Sequence, residues 1–226
     1  MSKKNAIKSY YNQLAPEYDT DRFDNTYGQY LHFQERQILI ARLGRIPKKN
    51  ILDMGCGTGR FLEFAENGVD FSEGMLASAR EKFPNHRLTT SDISAMPFEN
   101  NSFKAIYSLH VFMHLDLDTI QKTLVEAHRI LQKDGILIFD FPSLPRRRLV
   151  NYQKEGWHGN TALEIQAIKN MTKDLFDFEG YEGVLFFPIH RLPKKLRSFF
   201  RKIDSWLCRS FLKKWASYHF VFLKKK

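Results

Sequence analysis

Three glycines separated by single residues stand between two apolar segments, in the stretch ILDMGCGTGRFLEF at residues 51–64. Glycine tolerates positive φ angles and lets a ligand approach the backbone, so this run is suited to binding by main-chain groups. Where a strand turns into a helix, a ligand also meets unpaired N–H groups and the positive end of the helix dipole. We therefore expect Gly55, Gly57 and Gly59 to face a nucleotide-like or amino-acid-like molecule, the alternative being a tight turn without a ligand.

Two aspartates are placed to complete such a site. Asp70 and Asp92 come at the ends of the second and third predicted strands. The first can accept hydrogen bonds from both hydroxyls of a ribose, and the second, with its backbone neighbours, can bind the edge of an adenine. Each aspartate alone is typical of a helix cap or a turn. Together, after a glycine loop, they predict an adenosine site.

The spacing of the glycines distinguishes two adenosine cofactors. NAD needs G-x-G-x-x-G, because its pyrophosphate sits on the helix N-terminus. Here the run is G-x-G-x-G, so that Gly59 comes one residue early and Arg60 takes the final place. Asp53, just before the loop, would repel a pyrophosphate but could serve an ammonium group, which S-adenosylmethionine carries. The residues therefore favour S-adenosylmethionine over NAD.

Strand and helix patterns alternate from about residue 50, which predicts a parallel sheet covered on both faces. Two later apolar runs, GVLFFPIH and SYHFVFL, could pair as the last, antiparallel strands. Ser72 is the expected N-cap of one helix and Gly135 the expected C-cap of another. The predicted strands are NILDMG, GVDF, HRLTTSD, FKAIYSLH and ILIFDF, and the predicted helices between them are RFLEFAE, SEGMLASAREKF and LDTIQKTLVEAHRILQ.

The composition limits the classes of protein. A chain of 226 residues with 43% hydrophobic residues suits one domain, with or without an appendage. No apolar run reaches the length of about 18 residues that a membrane span needs, and the first residues lack the apolar stretch of a signal peptide. Cys56 and Cys208 lie far apart without metal-ligand spacing. We expect a cytoplasmic protein with neither a disulfide framework nor a metal site.

These residues resemble a known family, the class I S-adenosylmethionine-dependent methyltransferases of the small-molecule type, related to quinone-biosynthesis methyltransferases. The resemblance covers about residues 10–142 and implies an α/β, Rossmann-like fold. Its sheet would have seven mostly parallel strands with helices on both faces and an antiparallel last strand. It rests on the segments LDMGCGTGRFL, GVDFSEGMLASAR, SDISAMPFENNSF and EAHRILQKDGILIFDFP.

The resemblance also implies a role for each matching position. The loop and the aspartate before it would hold the methionine part, the next aspartate the ribose, and the residues around them the adenine. A tyrosine in APEYD resembles a lid residue, and a leucine after the fourth strand would line the methyl-donor side. In chain order the implied cofactor-binding residues are Tyr18, Asp53, Gly55, Cys56, Gly57, Gly59, Asp70, Phe71, Met75, Asp92, Ile93 and Leu109.

One departure from the family concerns the crossover between the first two strands. Ten residues separate Gly59 from Asp70, whereas the family has about 15 or more. A helix from Arg60 to Glu66 would be about 10 Å long and would leave only three or four residues for the strand. We therefore expect a strained crossover that bears directly on where Asp70 lies.

Histidines supply the candidates for acid–base chemistry. His110 and His114, in SLHVFMHL, follow the fourth predicted strand, where methyl acceptors bind in this fold. If the acceptor is a hydroxyl, a base helps, and the enzyme must align the acceptor in any case. Local capping or packing is the alternative for both rings. His158, in EGWHGN, and His190, in FPIHR, are further candidates.

The net charge of +10 is concentrated at the end of the chain. Residues 191–226 hold twelve Lys or Arg and one acid, for +11, whereas residues 1–190 hold 23 basic and 24 acidic residues, for −1. Apolar side chains recur at helical spacing from Leu196 to Leu207, with basic ones on the other face. This predicts either a helix packed on the domain or an interfacial helix, at residues 191–215, on anionic lipid. Nucleic acid is the least favoured partner, because base stacking would need interleaved aromatic residues.

Together these features predict a methyltransferase with a small or lipid-linked acceptor, such as an envelope glycan or a quinone precursor. It would act in the cytoplasm or peripherally at the inner face of the membrane. The alternatives are a cofactor-binding protein with weak or no catalysis and a nucleic-acid methyltransferase. The expected organisation is one domain, 1–226, comprising a helical lid (1–46), a cofactor-binding core (50–142) and a basic amphipathic helical insertion (190–216).

Overall fold

A mixed sheet of seven strands runs through the part of the chain that the computed structural model describes, residues 3–23, 25–153 and 159–226. The strand order is β3-β2-β1-β4-β5-β7-β6. Strands β1 to β5 are parallel, and β7 is antiparallel to both of its neighbours. The predicted Rossmann-like sheet with one reversed strand is confirmed. Its strands are β1 Ile51–Met54, β2 Asn67–Asp70, β3 Arg87–Thr90, β4 Phe103–Ser108, β5 Leu131–Pro142, β6 Phe176–Val184 and β7 Tyr218–Lys225.

Helices cover both faces of the sheet, because neighbouring strand residues point to opposite sides. Leu52 packs in one core with α5 and α7, whereas Ile51 packs in the other with α3. A smaller cluster holds α4 against the glycine loop. The helices are α1 Lys3–Leu14, α2 Tyr18–Phe23, α3 Thr26–Leu43, α4 Glu73–Lys82, α5 Leu117–Ile130, α6 Leu144–Leu149, α7 Ile165–Thr172 and α8 Lys194–Leu207.

The crossover between β1 and β2 contains no α-helix within residues 55–66, all of which are described, so the helix predicted at RFLEFAE is wrong. Successive i to i+3 hydrogen bonds form turns instead, with Gly59 N–H donating to Cys56 O at 2.9 Å and Leu62 N–H to Gly59 O at 3.2 Å. The segment is too short for both a helix and a return to the start of a parallel strand. The turns achieve the return while burying Phe61 and Leu62.

Other local predictions have mixed outcomes. Ser72 is the N-cap of α4, since its hydroxyl accepts the Met75 N–H. The predicted C-cap at Gly135 is wrong: α5 is capped by Leu131, and the chain then turns through Asp134 at φ 62°. Strand β7 matches the run SYHFVFL, but its partner β6 ends at Val184 and so lies mostly before the run GVLFFPIH.

Helix α8 belongs to the connection between β6 and β7. In the described part of the chain, no helix combines the length and the apolar character needed to cross a membrane. The predicted division into a lid, a core and an insertion stays a prediction.

Candidate functional site

A cavity of about 410 Å³ opens where β1, β2 and β4 end, and helices α1 and α2 contribute to its wall. This volume falls within the range of about 300–1,000 Å³ that is typical of small-molecule sites. It lies outside the carboxyl ends of the strands, where open α/β sheets bind ligands. Eleven of the fourteen residues predicted for the site line it: Tyr18, Gly55, Gly57, Asp70, Phe71, Met75, Asp92, Ile93, Leu109, His110 and His114.

The glycine loop is shaped to admit a ligand. Gly55 and Gly57 have φ angles of 84° and 53°, which strain residues with a side chain. A Cβ on Gly55 would lie 2.3 Å from a methyl group of Val111, whereas a Cβ on Gly57 would have no atom within 4 Å. Gly57 therefore leaves free space on the cavity side of the loop, as a ligand lying against the backbone requires.

Asp70 organises the loop and faces the cavity at the same time. One carboxylate oxygen accepts the Gly57 N–H at 2.9 Å, and the other accepts the Ser72 N–H at 2.8 Å. Burial raises its pKa, and these backbone hydrogen bonds oppose the shift. Each oxygen keeps a second lone pair, so the carboxylate can still accept hydrogen bonds from two ribose hydroxyls. The short crossover has not removed this side chain from the cavity.

Three predicted residues lie outside the cavity lining: Asp53, Cys56 and Gly59. Asp53 is 4% exposed at the end of β1, and burial raises its pKa to about 8. Cys56 is buried with Leu62 in the cluster beside α4, and burial raises the pKa of its thiol well above the usual value. For these residues a direct role toward the cofactor stays a prediction.

The adenine end of the predicted site combines polar and apolar groups. Asp92 lies two residues beyond β3, and its carboxylate accepts the Ser94 N–H at 3.0 Å. Ile93 is buried beside it, and Phe71 and Met75 line the same cavity from the start of α4. This arrangement fits a flat heterocycle held by its edge and packed on apolar side chains.

Helix α1 forms part of the cavity wall and makes a contact that the sequence did not reveal. The Tyr11 hydroxyl lies 3.1 Å from Nε2 of His114, and its ring packs edge-on against Phe71. Asn12 fixes the helix by accepting hydrogen bonds from the Ser72 hydroxyl and the Gly74 N–H. The aromatic pair in KSYYNQ was visible in the sequence, but only the fold shows which ring reaches the histidine.

His114 has both ring nitrogens engaged. The Gly159 N–H donates to Nδ1 at 3.2 Å, which requires that Nδ1 carry no hydrogen. The neutral ring then carries its hydrogen on Nε2 and donates it to the Tyr11 oxygen. His114 thus joins Tyr11 of α1 to Gly159.

His110 has a different environment, a buried ionic cluster. Its Nε2 lies 2.6 Å from Glu35, its Nδ1 lies 3.6 Å from Asp140, and Glu35 also pairs with Arg60 at 2.7 Å. Burial lowers the pKa of His110, but the carboxylates outweigh burial and raise the pKa above its ordinary value. The two carboxylates therefore stabilise the protonated ring relative to the neutral one. The partners Glu35, Arg60 and Asp140 come from three distant segments and were missed in the sequence.

The remaining histidine candidates lie elsewhere. His190 packs edge-on against Tyr27 with ring centres 5.1 Å apart and does not line the cavity. His158 lies outside the described residues. Within the described ranges, no cluster of three or more His, Cys, Asp or Glu has a metal-binding arrangement.

Comparisons with known proteins agree with this geometry. The methyltransferase domain family matches residues 52–139. A ubiquinone/menaquinone biosynthesis C-methyltransferase of Campylobacter jejuni is 31% identical over 82% of this chain and 85% of its own length. An uncharacterised protein of Methanocaldococcus jannaschii is 30% identical over 96% of this chain and 89% of its own.

A solved structure supports the fold. An S-adenosylmethionine-dependent methyltransferase from Mesorhizobium loti superposes with a TM-score of 0.60 at 19% identity, over 84% of this chain and 97% of that one. The predicted recognition, enzyme class and cofactor are confirmed by the comparisons taken together. The chain belongs to the class I S-adenosylmethionine-dependent methyltransferases, and S-adenosylmethionine is its cofactor.

Proposed function

We propose that this methyltransferase acts on a small acceptor of the quinone-precursor kind that is carried on a lipid. The observation that carries the proposal is that one continuous cavity extends from the glycine loop to His110 and His114. The residues at one end have the groups for a cofactor, and we propose that the end beside β4, lined by His110 and His114, receives the acceptor. The quinone methyltransferase among the relatives supports this class of acceptor.

Residues of the first end would hold the cofactor. Asp70 would accept from the ribose, Asp92 and Ile93 would meet the adenine edge, and the backbone at Gly55 and Gly57 would lie against the methionine part. When bound, S-adenosylmethionine supplies an electrophilic methyl group on a positively charged sulfur. Tyr11 and Tyr18, from α1 and α2, cover this end and would exclude water.

Residues of the other end would align the acceptor. The Tyr11–His114 contact places a hydroxyl at the cavity wall, and burial raises the pKa of that hydroxyl, so it stays protonated. Both ring nitrogens of His110 face carboxylates, Nε2 at 2.6 Å from Glu35 and Nδ1 at 3.6 Å from Asp140. We infer that these residues position the acceptor, since holding two reactants in line lowers the barrier strongly. A role for either histidine as a base stays a prediction.

The test follows a labelled methyl group. The enzyme is incubated with methyl-labelled S-adenosylmethionine and either a demethylated naphthoquinol with a prenyl chain or the same ring without the chain. The proposal predicts label in the organic phase and faster transfer to the prenylated ring. Label found only in water-soluble products, or only in added RNA, would contradict it. An Asp70→Asn variant controls for labelling that does not require the cofactor site.

A further inference from the structure

One side of α8 presents large apolar side chains to solvent. Leu196, Phe199, Ile203 and Trp206 recur at i, i+3, i+7 and i+10, which places them in one stripe along the helix. Leu196, Phe199 and Trp206 are 47%, 63% and 65% exposed. Phe211, just after the helix, is 81% exposed. We call these five residues the apolar stripe.

The apolar stripe is not the surface by which α8 packs on the protein. That surface is the neighbouring one, where Asp204 is fully buried and accepts hydrogen bonds from Tyr30 at 3.0 Å and Gln34 at 2.9 Å of helix α3. The Phe187 N–H donates to the same carboxylate at 2.6 Å. Helix α8 is therefore fixed through one side while the stripe stays outside. The apolar face predicted for this helix is therefore divided: one part packs on the protein, and the other part, the apolar stripe, is exposed to solvent.

Positive charge lies beside the apolar stripe, and part of it is neutralised where Arg209 pairs with Glu182 at 3.5 Å. Lys195 and Lys202 are exposed and, among the described residues, make no hydrogen bond or ion pair. Because successive residues of an α-helix are about 100° apart around its axis, both lysines lie at angular positions next to Trp206 and Phe199, at the edge of the apolar stripe. The connection at residues 185–217 holds nine Lys or Arg and one acid, the buried Asp204.

We infer that the apolar stripe and its flanking lysines dock this protein on an anionic lipid surface. An amphipathic helix lies in a bilayer interface with its aromatic and leucine side chains among the acyl chains. Lysines beside it extend their heads to the anionic headgroups. A contiguous exposed set of large apolar residues marks an interaction site, and the flanking lysines specify an anionic one. The inference stands independently of the methyl acceptor proposed above.

Vesicle binding tests the inference. The full chain is co-sedimented with vesicles of phosphatidylcholine containing phosphatidylglycerol, and with vesicles of phosphatidylcholine alone. We expect binding to the anionic vesicles that weakens as salt is added. Phe199→Ser combined with Trp206→Ser should lower the affinity about tenfold or more, because two aromatic side chains lose their apolar environment. Leu117→Ser combined with Val125→Ser, exposed positions of α5, is the matched control and should bind like wild type.

A second pair of variants tests the charge. Lys195→Glu combined with Lys202→Glu should reduce binding to anionic vesicles about tenfold or more. Lys49→Glu combined with Lys133→Glu, both exposed elsewhere, should reduce it much less. All variants should retain the wild-type affinity for S-adenosylmethionine, which shows that they are folded and keeps this test separate from the proposed function.

Three results would overturn the inference: no binding to anionic vesicles, equal binding by wild type and the stripe variants, or equal binding to both kinds of vesicle. Salt-dependent binding to RNA that the stripe variants leave unchanged, without vesicle binding, would assign the charge to nucleic acid instead. Wild-type Trp206 should shift its emission to the blue on the vesicles, and Trp206→Phe should bind while losing most of that shift.

Discussion

The two halves of the sheet build their parts of the cavity in different ways. On the β1–β3 side, the glycine loop, Asp70 and Asp92 lie within forty residues of one another, each at the end of a strand. On the β4–β7 side, His110 is held by Glu35 from α3 and Asp140 from β5. The first half is built from short-range motifs, whereas the second depends on contacts that only the complete fold creates. Substitutions of the cavity-lining residues in the first half should therefore affect mainly ligand binding, and substitutions in the cluster around His110 should affect mainly stability.

The largest expected effect is on the second half. Glu35→Gln removes the fully buried carboxylate that the partly buried Arg60 and His110 share, and it should lower the free energy of unfolding by about 3–5 kcal/mol. The control is Glu63→Gln, which breaks an exposed pair with Arg36 and should have little effect. Urea denaturation measures both. Equal, small losses would show that the cluster around His110 is not a structural centre.

A pH-dependent effect follows from Asp53. Its pKa of about 8 in the folded protein exceeds that of an aspartate in the unfolded chain. The contribution of protonated Asp53 to the free energy of unfolding is therefore fully present at low pH, and it is lost as the pH rises through about 8. Asp53→Asn lacks this loss, so its advantage over wild type should grow by about 1 kcal/mol per pH unit between pH 5 and 8. Urea denaturation across this range measures it, with Asp118→Asn on the exposed surface as control. Parallel stability profiles for Asp53→Asn and wild type would contradict the prediction.

Asp70 tests the first half directly. Asp70→Asn should weaken S-adenosylmethionine binding by about 1–3 kcal/mol, because the ribose loses a charged acceptor. Its effect on stability should be smaller than that of Glu35→Gln, since the amide oxygen can keep one backbone hydrogen bond. Isothermal titration calorimetry and urea denaturation of the same variant separate the two quantities. Unchanged affinity would mean that the ribose lies elsewhere.

The smallest expected effect lies where the two halves meet. Tyr11→Phe removes the hydroxyl that contacts His114 and should speed cofactor release about two- to tenfold, as expected for one hydrogen bond of about 0.5–1.5 kcal/mol. Tyr10→Phe keeps its ring beside Tyr11 and is the matched control. Stopped-flow displacement of the cofactor gives both rates. A faster release in the control alone would assign the closing contact to Tyr10.

The difference between the halves also explains what the sequence could predict. Asp70 and the Ser72 cap were predictable because a strand end, an acid and a helix start follow within a few residues. The absence of a helix after Gly59 was not predictable, because the apolar residues of this segment have helical spacing. Only the need for the chain to return to the start of a parallel strand forbids the helix. Glu35 was invisible for a related reason. Its partners are far away in the sequence, so a buried glutamate resembles any polar residue on a helix.

Calorimetric titration of the wild-type protein with S-adenosylmethionine, beside a titration with NAD, tests the central assignment most directly. We expect micromolar binding of S-adenosylmethionine at one molecule per chain and no binding of NAD. Heat from NAD alone, or no heat from S-adenosylmethionine at high micromolar concentration, would contradict the assignment of the cavity.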